Sequence, residues 1–226
     1  HAPALAHLTQ GLDTRVVEAM ALDRHGLAFH PALATTVLSG EAESLTVRGG
    51  KTSGVDAAAW EALHRKLSAF ARVLAPLRQM RPVRLAGENR LFGLARQGLG
   101  IRALGKDDFR ELLRMVLINV HDVAEDELSD DRLKGLLAFD ATLGAWLGAR
   151  SPNSLILYLD RLARGADPLL PKGGMGALAV AMGKAAAAAG VEVRTGSAVE
   201  KIVVEGDRAV GVRLAGGEVV RVGLVV

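Results

Sequence analysis

The residues with the clearest chemical potential are Pro171-Lys172-Gly173-Gly174-Met175-Gly176. Glycines at a helix start let a ligand approach the backbone closely, and the free N–H groups there attract anions. Residues 174–179 also fit the loose dinucleotide pattern G-x-G-x-x-A. That pattern needs a buried strand in front of it, and Leu169-Leu170-Pro171 is short and ends on a residue with no ladder donor. The match is therefore not taken as a fingerprint, and a ligand-binding turn and a plain loop–helix junction both stay open. Gly98-Leu99-Gly100 lacks a preceding strand and reads as a loop. His1, His7, His25, His30, His64 and His121 have no metal-ligand spacing, so no metal is expected. The His121-Asp122 pair reads as a surface helix end rather than a base. Asp107-Asp108 and Asp130-Asp131 read as helix caps, and Ser151 and Ser154 lack the strand–elbow setting of a nucleophile. No catalytic residue is assigned.

The elements that must position these groups follow from apolar spacing. Residues 3–23 suggest short helices through Leu5, Leu8, Leu12, Val16, Val17 and Met20. Strand-like stretches follow at 27–30, 35–38 and 44–48, with Gly49-Gly50 and Gly54 as a flexible joint. Ser53 or Asp56 then caps a long helix carrying Trp60, Leu63, Leu67, Phe70 and Leu74, with Pro76 near its end. A helix is expected over 91–99. Asp107 or Asp108 caps another, with Phe109, Leu112, Leu113, Val116, Leu117 and Val120. Asp130 opens a further one with Leu133, Leu136, Leu137 and Phe139 inside, and one more runs over 153–162. The character changes at Asp167-Pro168. An Ala-rich helix over 176–189 stops at Gly190, and strands are expected at 191–195, 198–204 and 210–214. Gly216-Gly217 turns the last of these into 219–222.

Composition bounds the rest. Hydrophobic residues make up 50% and charged residues 23%, which is the balance of a globular chain and excludes disorder. The absence of cysteine excludes disulfides, thiolate metal sites and a Cys nucleophile, and fits a cytoplasmic setting. Arg72, Arg78, Arg81, Arg84 and Arg90 form a basic region that reads as a solvated helix face rather than a surface for nucleic acid or anionic lipid. No apolar run reaches the roughly 20 residues of a membrane span. The chain starts on His1 and ends on a strand-like apolar run, so both ends are expected to be cut points in a longer protein.

The last third resembles the phytoene-desaturase-like flavoproteins, within the broader amine-oxidase-like group. The residues that carry the resemblance are 171–178, Gly190-Val191-Glu192-Val193-Arg194-Thr195, Val199-Glu200-Lys201-Ile202, and Gly211-Val212-Arg213-Leu214 with Gly216-Gly217. They follow the order P-x-G-G-M, helix, G-x-x-[IV]-x-T, V-x-x-I, G-V-x-L-x-x-G. Ser129-Asp130-Asp131-Arg132-Leu133-Lys134 and Ser151-Pro152-Asn153-Ser154 are similar, more loosely, to that group's helical substrate domain.

The resemblance implies an α+β chain in three parts. These are a mixed segment over 1–50, a helical substrate-binding domain over 51–167, and a returning part of the FAD-binding domain over 168–226. It implies that Gly173, Gly174 and Met175 lie on the side facing the flavin, and that Val199 contacts the adenine through its backbone. It further implies hydride transfer from an apolar, carotenoid- or lipid-like substrate to FAD in a full-length parent, with weak or absent FAD binding by this span alone. No nucleic-acid partner is expected. Peripheral membrane contact and homo-oligomerisation are compatible with it. An amine oxidase of the same superfamily, or a cofactor-free helical interaction module, remain the rival readings.

Overall fold

A computed structural model describes residues 9, 11–40, 43–80, 91–165 and 168–225. In chain order the elements are α1 (Thr14–Ala19), β1 (Thr35–Val37), β2 (Leu45–Val47), α2 (Ala57–Leu74), α3 (Leu91–Arg102), α4 (Lys106–Leu117), α5 (Val120–Glu127), α6 (Asp131–Thr142), α7 (Leu155–Ala163), α8 (Met175–Ala188), β3 (Val199–Glu205), β4 (Arg208–Leu214) and β5 (Val219–Arg221). The α+β class holds. Two compact units divide the chain, residues 1–182 and 183–226.

The first unit is organised by the buried stripe of α2. Trp60, Leu63, Leu67 and Phe70 recur at helical spacing and are at most 3% exposed. A stripe three to four residues apart puts every member on one helix face. That face packs among Leu112 and Met115 of α4, Val120 and Val123 of α5, Leu133 and Leu137 of α6, and Leu155 and Leu159 of α7. Each large side chain taken from water contributes roughly 1.5–3 kcal/mol, so this one cluster dominates the unit. β1 and β2 pair antiparallel, Thr36 opposite Thr46, and add Leu45 and Val47 to the same core.

Several expectations are corrected. Asp56 precedes α2 but makes no side-chain bond to that helix's own amides. Its buried carboxylate instead accepts the N–H groups of Ser129 and Asp130, 73 and 74 residues away. It therefore joins the start of α2 to the start of α6. The helix expected to run through Val120 is two. The chain turns extended at Ile118 and Asn119, and the Asn119 side chain accepts from the Asp122 N–H at 2.8 Å to start α5. A short polar side chain competing for backbone amides is the cause. The α4 N-cap is Gly105, with Asp107 and Asp108 inside the first turn, where negative charge complements the helix dipole. Phe139 of α6 is 59% exposed rather than inside. Gly98-Leu99-Gly100 is helical, within α3. Of the region 3–23 only α1 is helical among the described residues, and 27–30 forms a single bridge, Phe29 to Pro171, rather than a strand. Leu5, Leu8, His1, His7, Arg81, Arg84, Arg90 and Asp167 lie outside the described residues.

Other expectations are met. Asp130 caps α6 by accepting the Arg132 N–H at 2.9 Å. Ser154 is fully buried and structural. Its hydroxyl accepts the Val120 N–H at 2.9 Å and donates to the Ala149 carbonyl at 3.0 Å, tying α5 to the loop before α7. Apart from those expectations, Arg78 pairs with Asp160 at 2.8 Å, and Arg72 is exposed. No helix among the described residues is long and apolar enough to cross a membrane.

The second unit contains the end of α8 and an antiparallel sheet in the order β3-β4-β5. α8 stops where Gly190, at φ +77°, takes the left-handed conformation. The Val191 N–H then reaches back to the Ala186 carbonyl at 3.0 Å, a closing bond of the Schellman type. Residues 191–195, expected as a strand, form none. Their alternation of Val with charged residues describes a strand with a covered face, yet Val191 and Val193 are 54% and 69% exposed. Gly206 and Asp207, both at positive φ, make the tight β3–β4 turn.

Two outcomes follow. Asp56→Ala leaves the Ser129 and Asp130 amides without their charged acceptor and is expected to cost roughly 2–3 kcal/mol in guanidinium unfolding. Asp130→Ala removes the α6 cap, at a cost of about 1 kcal/mol. The Asp130 carboxyl is held below its ordinary 3.8, first by its hydrogen bonds to Arg132. Its contribution is therefore complete above that ordinary value and lost as pH falls through the lowered one. The stability gap between the native protein and Asp130→Ala is expected to be full at neutral pH and to close in strong acid, and a gap independent of pH contradicts the assignment.

Candidate functional site

The Gly173-Gly174-Met175 turn is built on short antiparallel bridges rather than on a strand. Thr9 exchanges backbone hydrogen bonds with Leu169, at 2.8 and 3.2 Å, and its hydroxyl donates to the same Leu169 carbonyl at 3.0 Å. The His30 N–H donates to Leu170, and the Lys172 N–H to Ala28 at 2.8 Å. Pro171 is fully buried beneath them. These contacts fix residues 169–172 on segments near both Thr9 and Phe29, and the turn projects from that fixed base.

Gly173 and Gly174 follow at φ +87° and +74°, a region that L side chains rarely occupy. The Gly174 N–H closes on Pro171 at 2.9 Å and the Ala177 N–H on Gly174 at 3.1 Å. The first-turn amides of Met175 and Gly176 have no acceptor within α8, because the first N–H groups of a helix never do. A Cβ placed on Gly174 or Gly176 would meet nothing within 4 Å. The turn therefore leaves two amides at a helix N-terminus without a helix acceptor, next to Gly174 and Gly176, where a side chain would meet nothing. That geometry fits the electron-rich edge of a large planar or anionic group.

Val199 lies in the second unit, at the start of β3, opposite Leu214 and 55% exposed. A bulge leaves Glu200 without a partner in the ladder, since Val199 pairs with Leu214 and Lys201 with Arg213. β3 is also an edge of the three-stranded sheet. A bulge on an edge strand is a setting in which a contact can be made through the main chain.

The first unit also carries a cleft of about 640 Å³ along α3 and α4, lined by Gly98, Ile101, Arg102, Gly105, Lys106 and Phe109. Its size lies in the range of small-molecule sites, and its described walls combine an apolar floor with two cations.

A second cluster escaped the sequence. Trp60 and His64, one turn apart on α2, stack with ring centres 6.4 Å apart. The Tyr158 hydroxyl of α7 approaches His64 Nδ1 at 3.5 Å. Arg161 and Asp140 pair at 3.1 Å, both less than a fifth exposed. Burial pushes the Asp140 carboxyl up, with Arg161 opposing. Burial also pushes the Tyr158 hydroxyl up, and the Asp140 charge adds to it. These residues span positions 60 to 161 with no common spacing, so only packing brings them together. Gly50 packs against this cluster: its φ is +74°, and a Cβ there would run into the His64 ring. Gly50→Ala is therefore expected to displace His64 and to cost about 2 kcal/mol or more in chemical unfolding. Unchanged stability contradicts this close approach.

A family profile described as "Flavin containing amine oxidoreductase" matches residues 33–226. The chain is 34% identical over 110 residues to a "Phytoene desaturase (neurosporene-forming)" of Cereibacter sphaeroides, covering 48% of this chain and 21% of that protein. It is 33% identical over 117 residues to a "zeta-carotene-forming phytoene desaturase" of Myxococcus xanthus, covering 49% of this chain and 22% of that protein. The aligned part thus spans about a fifth of the length of the curated relatives it matches.

Proposed function

The chain belongs to the flavin containing amine oxidoreductase family, and on that premise we propose that it is part of a flavin-dependent oxidoreductase acting on an apolar, carotenoid- or lipid-like substrate. The observation that carries this reading is the turn at Gly173-Gly174-Met175, two left-handed glycines directly before α8, whose first-turn amides have no acceptor in the helix. FAD, when bound, supplies the acceptor for a hydride taken from a substrate C–H bond.

The chain's own residues have the tasks of holding and orienting. Gly173 and Gly174 keep side chains away from the cofactor, and the Met175 and Gly176 amides donate to an electron-rich edge of it. The backbone beside Val199 meets its adenine end. The cleft between α3 and α4 offers Ile101 and Phe109 to an apolar substrate, with Arg102 and Lys106 at hand for an anionic surface. Contact with a membrane, where an apolar substrate partitions, belongs to the same reading. No acid or base is required of these residues, because the redox step is the cofactor's and burial supplies selectivity.

The two phytoene desaturases named above support the substrate class, and the family match supports the flavin. The small share of those proteins covered supports a division of labour, in which most of the FAD contacts come from residues outside this span. The 226-residue chain, purified alone, is then expected to show no stoichiometric flavin absorbance, whereas a longer protein that includes it carries flavin and converts phytoene to a more conjugated, coloured polyene. A longer protein that cannot be loaded with FAD contradicts the flavin reading. Stoichiometric flavin on the 226-residue chain contradicts the division of labour.

A further inference from the structure

Beside the β1–β2 pair the first unit has a small cavity of about 50 Å³ whose walls include Gly50, Trp60, His64, Asp140, Tyr158 and Arg161. An enclosed water needs roughly 10–15 Å³ by this kind of measure, so the space suits a group of a few heavy atoms. Trp60 is only 3% exposed, yet its indole N–H has no hydrogen-bond partner among the described residues. Leaving such a donor unsatisfied costs roughly 1–3 kcal/mol, and indole can only donate. The charges at the wall cancel, since Arg161 and Asp140 face each other at 3.1 Å. A charged ligand would have to break that pair, whereas a neutral acceptor need not. The cavity also opens outward. A surface pocket of about 390 Å³ shares Gly49, Gly50, His64 and Leu162 with it. The absence of a side chain at Gly50 lets the His64 ring lie where a Cβ would otherwise stand.

We propose that this cavity is a binding subsite for one neutral, hydrogen-bond-accepting oxygen, held by the Trp60 indole N–H and reached from the surface past His64. The oxygen belongs either to water or to the carbonyl or hydroxyl end of a small organic molecule. The site does not depend on the flavin reading, because none of its residues is assigned to the cofactor.

The test uses the intact chain with 15N-labelled tryptophan. The two indole N–H signals, Trp60 and the fully exposed Trp146, are assigned with Trp146→Phe, which leaves Trp60 in place even if Trp60→Phe does not fold. Acetone is titrated as a neutral carbonyl probe, with 2-methylpropene as an isostere that lacks the acceptor. A saturable downfield shift of the Trp60 signal with acetone alone supports the site and an organic oxygen. No response to acetone, together with a cross-peak from the Trp60 indole proton to long-lived water, supports the site with water as its ligand. Neither response, or an equal response to 2-methylpropene, overturns the proposal.

Discussion

The first unit depends on one face of one helix. α2 carries Trp60, Leu63, Leu67 and Phe70 into the core, and α4, α5, α6 and α7 each contribute side chains to the same cluster. Burial of this kind is not directional, so polar pairs must fix which helix meets which. Asp56 does so at one end of α2 by holding the amides that begin α6. Ser154 does so at the far side, joining the start of α5 to the loop before α7. The apolar stripe supplies the driving force, and these two buried polar residues set the register.

From that frame the site follows in steps. Packing of α2 against α6 and α7 closes the cavity in which Trp60, His64, Asp140, Tyr158 and Arg161 meet. Bridges from Thr9 and from residues 28–30 hold residues 169–172 and fix the turn that begins α8. The turn is thus rigid at its base and bare at its tip, which is how a backbone contact to a ligand is kept in place without a side chain. Val199 stands at the start of an edge strand, next to a bulge that leaves Glu200 without a ladder partner. Glycine and a helix end shape the turn, and a bulge shapes the start of β3, more than side-chain chemistry does.

Helical periodicity made most of this fold legible. α2, α6 and α7 lie close to where their Leu spacing places them, and the β-meander follows from short alternating runs, the last turned by Gly216-Gly217. What failed was local. Asn119 ended α4 early, because its side chain captured an amide that the apolar pattern ignores. Asp56 looked like a cap for its own helix, yet its partners lie 73 and 74 residues away, a distance no local rule spans. Residues 191–195 had a strand's alternation without a strand's ladder. Gly173-Gly174-Met175 was readable as a turn because a turn's glycine requirement is local. The Trp60–Tyr158 cluster was not, because it exists only once three helices have packed.

The central claim is that the amides at the start of α8 meet the flavin. Hydrogen exchange at single-amide resolution, on a longer protein that contains this chain, with and without FAD, tests it most directly. The account predicts that Met175 and Gly176 exchange more slowly when FAD is bound, while the buried amides of α2 are unchanged. FAD binding that leaves Met175 and Gly176 exchanging at their unbound rates would contradict it.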